Sequence, residues 1–215
     1  MHLFDEVTST QDVARSLYRE RPVVVVASRQ TSGRGREGGD WQTAPRALAL
    51  TTVFDLGWSR HWAVASLVAG LAATTVLGEP VDLKWPNDLL IGDRKVGGIL
   101  AEVTGGTVTV GWGLNLWWPE VPGDRAALRA DDPGPGAVVG MGVSIAEELF
   151  RRLAGAGWGA PEYRSRCVTL GRRITWSGVK SGLARDIDPE DGSLLVEIEG
   201  GGIARLNAGE VRHVR

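Results

Sequence analysis

The sequence predicts an α+β fold over residues 1–167, followed by a small all-β barrel over residues 168–215. Apolar runs bounded by turn residues, such as Val23 to Ala27, read as strands. Segments with helical spacing lie among them, as at Val13 and Leu17 or Ile145, Leu149 and Leu153. From Gly171 onward the texture changes to short strand-like runs separated by tight turns.

In chain order, Ser9 and Thr10 are good N-cap residues for an opening helix. Val23 to Ala27 is a β-branched run after Pro22, and Ala47 to Phe54 reads as a second strand. The loop from Ser28 to Pro45 between them is rich in Gly and Arg. His61 to Leu77 reads as a buried helix ended by Gly78 and Pro80. Leu83 to Ile91 and Lys95 to Val103 flank Gly92, Asp93 and Arg94, a hairpin signal, and Thr107 to Leu116 is a further strand. Pro119 to Pro135 should be irregular, with helices following near Ser144 to Leu153 and Pro161 to Arg166. The terminal strands are Ile174 to Trp176, Gly182 to Asp186, Ser193 to Ile198 and Ala204 to Asn207, with turns at Glu190-Asp191-Gly192 and Gly200-Gly201-Gly202.

Composition narrows the function. The 215 residues are 43% hydrophobic, enough for a sizeable core, and 24 basic against 26 acidic residues give a net charge of −2. With no basic run, the chain lacks an electrostatic footprint for nucleic acid. A lone cysteine, Cys167, cannot form an internal disulfide and suits a reducing cytoplasm. The start has neither a basic nor an apolar signal region. The longest apolar stretch, Trp62 to Leu77, falls short of the roughly eighteen residues of a membrane span. A cytoplasmic location without a membrane partner is expected.

Four segments carry chemistry. Gly33-Arg34-Gly35-Arg36-Glu37-Gly38 matches G-x-G-x-x-G, and Asp55 stands near the spacing of a ribose-binding acid. The context rejects a dinucleotide site: five residues separate Ala27 from Gly33, and Pro45 leaves no room for a helix. A loop whose glycines expose backbone N–H groups to an anion clamped by two arginines fits better, with Trp41 as a flat face or lid. A plain surface loop is the alternative. Next, Lys84-Trp85-Pro86-Asn87-Asp88 leads into Lys95-Val96-Gly97-Gly98-Ile99-Leu100. Strand alternation turns Lys95, Gly97 and Ile99 to one face, where a lysine beside bare backbone suits a carboxylate or phosphate. Asp88 could orient or deprotonate an amine. By itself this segment reads better as a surface Lys-Asp pair on a hairpin, which is common and worth little. In the last segment, Val108, Val110, Trp112 and Leu114 should face the core. Gly111, Gly113 and Asn115 then leave a bare groove for a flat heterocycle or for a neighbouring helix.

Taken in order, Ser9-Thr10, Gln30, Gly33 to Arg36 with Trp41, Lys84 to Asp88, Lys95 to Leu100 and Gly111 to Asn115 resemble the bacterial biotin–protein ligases. Gly182 to Asp188, with Ala208-Gly209-Glu210-Val211, resembles the SH3-like barrel that ends them. The resemblance implies a mixed β-sheet flanked by helices, then that barrel. It also implies ATP-dependent activation of biotin as biotinyl-AMP and transfer to a lysine of a biotin carboxyl carrier domain, of acetyl-CoA carboxylase or a related carboxylase. Lys95, Asp88, Arg34 and Arg36 would be catalytic. Biotin would meet Ser9, Thr10, Gln30, Gly33, Arg34, Lys95, Gly97, Gly98, Gly111 and Gly113; the nucleotide would meet Arg36, Trp41, Lys84, Asn87 and Asn115. No metal-ligating residue is assigned, and ATP enters with Mg2+ as a substrate. The residue types suit the chemistry: carboxylate and triphosphate repel, so Arg34, Arg36 and Lys95 must offset charge where it concentrates.

Three positions depart from the family pattern: Gly39 replaces an arginine and is followed by Asp40, Gln11 replaces an asparagine, and Trp112 replaces a small or β-branched residue. The chain begins almost at Ser9-Thr10, which leaves no space for the N-terminal DNA-binding domain of members that double as repressors, so no nucleic-acid partner is expected. The competing readings are a ligase for another acid such as lipoate, and a non-catalytic binder of biotin or biotinyl-AMP.

Overall fold

The computed structural model describes residues 1–36, 39, 41–58, 61–178, 180–207 and 211–214. Seven strands form the first sheet: β1 His2–Val7, β2 Val23–Gln30, β3 Arg46–Asp55, β4 Val81–Lys84, β5 Asp88–Ile91, β6 Arg94–Thr104 and β7 Thr107–Trp117. Their order is β1-β2-β3-β7-β6-β5-β4. The β1–β2 pair is parallel and every other pair antiparallel, so the sheet is mixed. Among the described residues four α-helices accompany it: α1 Thr10–Leu17, α2 Ala65–Leu77, α3 Pro135–Leu153 and α4 Ala160–Arg166. None is long and apolar enough to cross a membrane.

Helix α1 starts where the cap residues predict. Ser9 has the extended backbone of an N-cap (φ −150°, ψ 127°), yet its hydroxyl makes no capping bond. Gln30 substitutes for it: its side-chain oxygen accepts the Thr10 N–H at 2.8 Å, satisfying a donor that the first turn leaves open. Helix α2 is apolar around its whole circumference and is buried accordingly, between the sheet and α3. It begins at Ala65, because Trp62–Val64 form a 3₁₀ turn, and Gly78 ends it at φ 70°. Helix α1 covers the opposite face of the sheet. On β7 the Trp112 indole donates to Ala69 O of α2 at 3.1 Å, whereas Gly111 faces Gln11 of α1. The alternation expected for β7 therefore holds.

Several expectations need correction. The stretch from Leu83 to Ile91 is two strands: β4 and β5 pair antiparallel about the turn Trp85-Pro86-Asn87. Pro86 has no N–H to give a ladder, which is why the run breaks there. Strand β1 was not foreseen; it is a largely exposed edge without apolar alternation. Helix α3 extends back to Pro135, whose fixed φ suits a first turn.

The β5–β6 pairing corrects the proposed face of β6. Lys95 lies opposite Leu90 and Gly97 opposite Leu89, so Val96 is an extra residue on the β6 side. This bulge breaks the alternation: Lys95 shares a face with Gly98, not with Gly97 and Ile99. A Cβ built on Gly98 would lie 3.3 Å from Lys95 Cε. One built on Gly97 would point into the core, 2.9 Å from Gly113 O and closer still to Leu114. Ile99 is buried in the same core.

Five strands form the second sheet: β8 Arg173–Trp176, β9 Lys180–Ile187, β10 Leu194–Ile198, β11 Ile203–Leu206 and β12 Val211–His213. All neighbours are antiparallel, in the order β11-β10-β9-β8-β12. Among the described residues β11 and β12 are separate edges, so this is an SH3-like sheet rather than the closed barrel expected. Of the motifs singled out above, Glu37, Gly38, Asp40, Ala208, Gly209 and Glu210 lie outside the described residues. The two sheets share one continuous core, in which Leu67 and Trp85 belong to the same apolar cluster as Ile174, Ile187 and Leu194.

Gly97→Ala should overpack this core, costing about 1–3 kcal/mol. Thermal unfolding should then begin several degrees lower, at about 2–4 °C per kcal/mol for a chain of this size. An unchanged melting temperature would mean that Gly97 does not face the core.

Candidate functional site

A cleft of about 260 Å³ opens where the α1 face of the sheet meets the glycine-rich loop and the β4–β5 turn. Each wall has a structural origin. Ser9 and Thr10 stand at the start of α1, where the chain turns inward beside the end of β2. Thr10 Oγ1 donates to Gln30 Oε1 at 2.9 Å and accepts from Thr51 Oγ1 at 2.8 Å, so this polar end is a fixed hydrogen-bond chain. The Ser9 hydroxyl, released from capping, turns to the loop and accepts from Arg34 at 3.4 Å.

The described residues of the glycine-rich loop bond to one another. Trp41 N donates to Gly33 O at 3.1 Å, and Gly35 N donates to Gly39 O at 2.6 Å. The Trp41 ring lies over the bare strands, so that a Cβ on Gly113 would be 2.5 Å from it and one on Gly98 3.2 Å. On the other side of the groove, a Cβ on Gly111 would meet the Gln11 side chain at 3.1 Å. The glycine groove read from β7 is therefore filled by the protein's own Gln11 and Trp41. Substitution at Gly111 or Gly113 would push these two side chains aside.

Charge converges at the opposite wall. Asp88 Oδ1 lies 2.5 Å from Lys95 Nζ, and Asp88 Oδ2 lies 3.5 Å from Lys84 Nζ. The Lys95 ammonium also stands 5.7 Å from the centre of the Trp41 ring, within range of a cation–π attraction. Arg36 donates to Asn87 Oδ1 at 3.2 Å on this wall, whereas Arg34, beside Ser9, pairs with Asp12 at 2.6 Å. Asn87 in turn donates to Ile99 O at 2.9 Å, fastening the β4–β5 turn to β6. Lys84, Lys95, Arg34 and Arg36 thus line one cleft, each held by a group that an anionic ligand could replace.

Most of the expected site residues line this cleft: Ser9, Thr10, Gln30, Arg34, Arg36, Trp41, Lys84, Asn87, Asp88, Lys95, Gly98, Gly111 and Gly113. Three do not. Gly33 shapes the loop through its carbonyl, and Gly97 faces the core. Asn115 is buried behind the cleft, donating to Ala126 O at 3.2 Å, while its Oδ1 finds no partner among the described residues. Gln11, Arg125 and Val211 line the cleft without having been singled out as ligand-binding. Arg125 sits in the irregular segment after β7, which is tied to β6 by Lys95 N to Asp124 O (3.1 Å) and Ala126 N to Lys95 O (2.8 Å). No local pattern marks it. Cys167 is buried, and burial pushes its thiol pKa up, so it is not a candidate nucleophile.

Comparison with known proteins agrees with this geometry. The biotin/lipoate A/B protein ligase family model matches residues 3–115, just over half the chain. A biotin–[acetyl-CoA-carboxylase] ligase of Mycobacterium tuberculosis is 35% identical, over 90% of this chain and 79% of that protein. The bifunctional ligase/repressor BirA of Escherichia coli is 32% identical over 81% of this chain, which spans 61% of its length. The biotin protein ligase of Aquifex aeolicus, solved in complex with biotin and ATP, superposes with a TM-score of 0.82 at 27% identity, covering 99% of this chain and 97% of that one. The chain belongs to the biotin/lipoate A/B protein ligase family.

Proposed function

We propose that the chain is a biotin–protein ligase, which activates biotin with ATP and transfers it to a lysine of a biotin carboxyl carrier domain. The observation that carries this reading is the division of a single cleft. A neutral hydrogen-bonding end (Thr10, Gln30), flanked by Arg34, faces a cationic wall (Arg36, Lys84, Lys95) that holds one carboxylate, Asp88. An acid with a polar head and a carboxylate tail fits that division, with its tail among the cations that a phosphate also needs.

In the first step a carboxylate oxygen of biotin forms a bond to the α-phosphorus of MgATP, and the bond to the bridging oxygen breaks, releasing pyrophosphate. Two anions must approach each other. Arg34, Arg36 and Lys95 lower that repulsion, acting most strongly where charge builds up in the transition state. Their present partners, Asp12, Asn87 and Asp88, keep the empty wall from being a concentration of unpaired charge. Magnesium comes with the triphosphate and keeps much of its own water shell. Among the described residues there is no group of three or more potential metal-ligating His, Cys, Asp or Glu side chains. In the second step the acceptor amine attacks the acyl carbon. A C–N bond forms, the C–O bond to AMP breaks and the amine sheds its protons. Asp88 already binds one ammonium at 2.5 Å, so it has the geometry to hold or deprotonate another. Trp41 and Lys84, which line the same cleft, would meet the nucleotide. The near-neutral net charge of −2 argues against a nucleic-acid partner, and a single buried cysteine suits the cytoplasm.

Incubation with MgATP, a carrier domain and biotin, lipoate or octanoate in turn, read by intact mass, should give a biotin adduct on the carrier. An adduct with lipoate alone would favour the other branch of the family. Lys95→Ala should abolish pyrophosphate release; near-normal release would remove Lys95 from catalysis. Asp88→Asn should slow transfer at least as much as adenylation, and loss of ATP affinity alone would contradict its acceptor role. Gly39 lines the cleft, and a Cβ there would meet only Arg36 O, at 3.3 Å. Gly39→Arg can therefore add a charge-assisted hydrogen bond of about 1.5–3 kcal/mol. This should lower the KM for ATP or slow adenylate release by roughly ten- to hundredfold. If neither changes, the added guanidinium does not reach the phosphates.

A further inference from the structure

The β4–β5 turn carries Asn87 and Asp88 into the cleft; Asn87 is bonded to Ile99 and Arg36, and the anchors of Trp85 come from the C-terminal part of the chain. Val168 N donates to Leu83 O at 2.9 Å just before the turn. Trp85, 1% exposed, sends its indole N–H to Gly192 O at 3.0 Å. Its backbone N–H is accepted by the Thr169 hydroxyl oxygen at 3.0 Å, and Thr169 is fully buried. The same oxygen lies 3.2 Å from His213 Nε2 on β12.

The imidazole's orientation follows from its other neighbour. Arg172 approaches His213 Nδ1 at 3.3 Å, and a guanidinium can only donate. Nδ1 is therefore the acceptor, and Nε2 carries the proton and donates to Thr169. With both lone pairs engaged, the Thr169 hydroxyl proton is left for the sulfur of Cys167. This network requires a neutral histidine. Burial first, then Lys84 and Arg172, hold the His213 pKa down to about 4, against the opposing pull of Asp93 and Asp88. Lys95, Asp124, Arg125 and Arg212 complete the charged lining of the second cleft, of about 390 Å³, into which His213 faces. Lys84, Asp88 and Lys95 line both clefts, so any shift of the turn is felt directly at the carboxylate.

We infer that Thr169, oriented by His213, is a positioning residue for the reaction: it fixes the Trp85-Pro86-Asn87 turn from behind and so sets where Asn87 and Asp88 stand. This rests on the ligase reading above. The side chains at the polar end of the cleft, Ser9, Thr10 and Gln30, take no part in the network.

Thr169→Val keeps the shape of the side chain and removes the hydroxyl, so Trp85 N–H is orphaned while the core stays filled. Biotin-binding stoichiometry and affinity, melting temperature, and the rates of pyrophosphate release and of transfer, per biotin-binding site, should be measured for each variant. We expect Thr169→Val to bind biotin as wild type does but to transfer it roughly tenfold more slowly per site. Thr169→Ser should recover most of the rate. His213→Ala, at a half-buried position, gives a second approach if Thr169→Val does not fold, and should slow transfer by about threefold. A variant that melts earlier yet transfers within about twofold of wild type per site would overturn the positioning role. So would failure of Thr169→Ser to recover the rate. Wild-type protein inert toward biotin would overturn the ligase reading itself, whereas an active wild type and an equally active Thr169→Val would overturn this inference alone.

Discussion

Strand β7 is buried on both faces, and the two faces are covered by different kinds of neighbour. Toward α2 it presents Val108, Val110, Trp112 and Leu114, all buried in the main core. Toward α1 it presents Gly111 and Gly113, which leave the backbone bare. Water must still be excluded there, because an uncovered ladder next to apolar side chains stabilises nothing. Gln11 and Trp41 supply the cover. Both are polar-tipped side chains, one on α1 and one on the loop that follows Gly33. The cleft exists because one side of a core strand lacks side chains of its own.

The charged wall follows from the same arrangement. Lys95 reaches the glycine face only because the bulge at Val96 turns it there together with Gly98. Once there, an ammonium in a partly enclosed cleft requires a counter-charge, and Asp88 on the neighbouring strand provides it at 2.5 Å. Arg34 and Arg36 are likewise held by Asp12 and Asn87. An arriving carboxylate or phosphate exchanges partners with groups already in place, which costs less than desolvating free cations.

The C-terminal sheet has a share in this geometry. It contributes to the common core through Ile174, Ile187 and Leu194, and its flanking residues grip the turn that carries Asp88. Trp85 links the two: its ring fills the core, and both its N–H groups end on atoms far along the chain, at Thr169 and Gly192. A turn anchored in this way is fixed from a side that the ligand never touches.

The sequence by itself determined features that depend on neighbours along the chain. The two-residue period of β7 assigned its core face, Ser9-Thr10 marked the start of α1, and Pro45 ruled out a helix after the glycine-rich loop. The order of short motifs identified the residues that now line one cleft. What only the tertiary structure decided depends on partners distant in sequence. The bulge at Val96 exists because of how β6 pairs with β5, and it reversed the expected faces of Gly97 and Gly98. Arg125 reaches the cleft because its segment is hydrogen-bonded to Lys95, and Trp41 fills a groove that β7 alone leaves open. Gln30 rather than Ser9 satisfies the first turn of α1, which frees the Ser9 hydroxyl for the site. Periodicity fixes which way a side chain points relative to its own strand; register and long-range hydrogen bonds fix what it meets there.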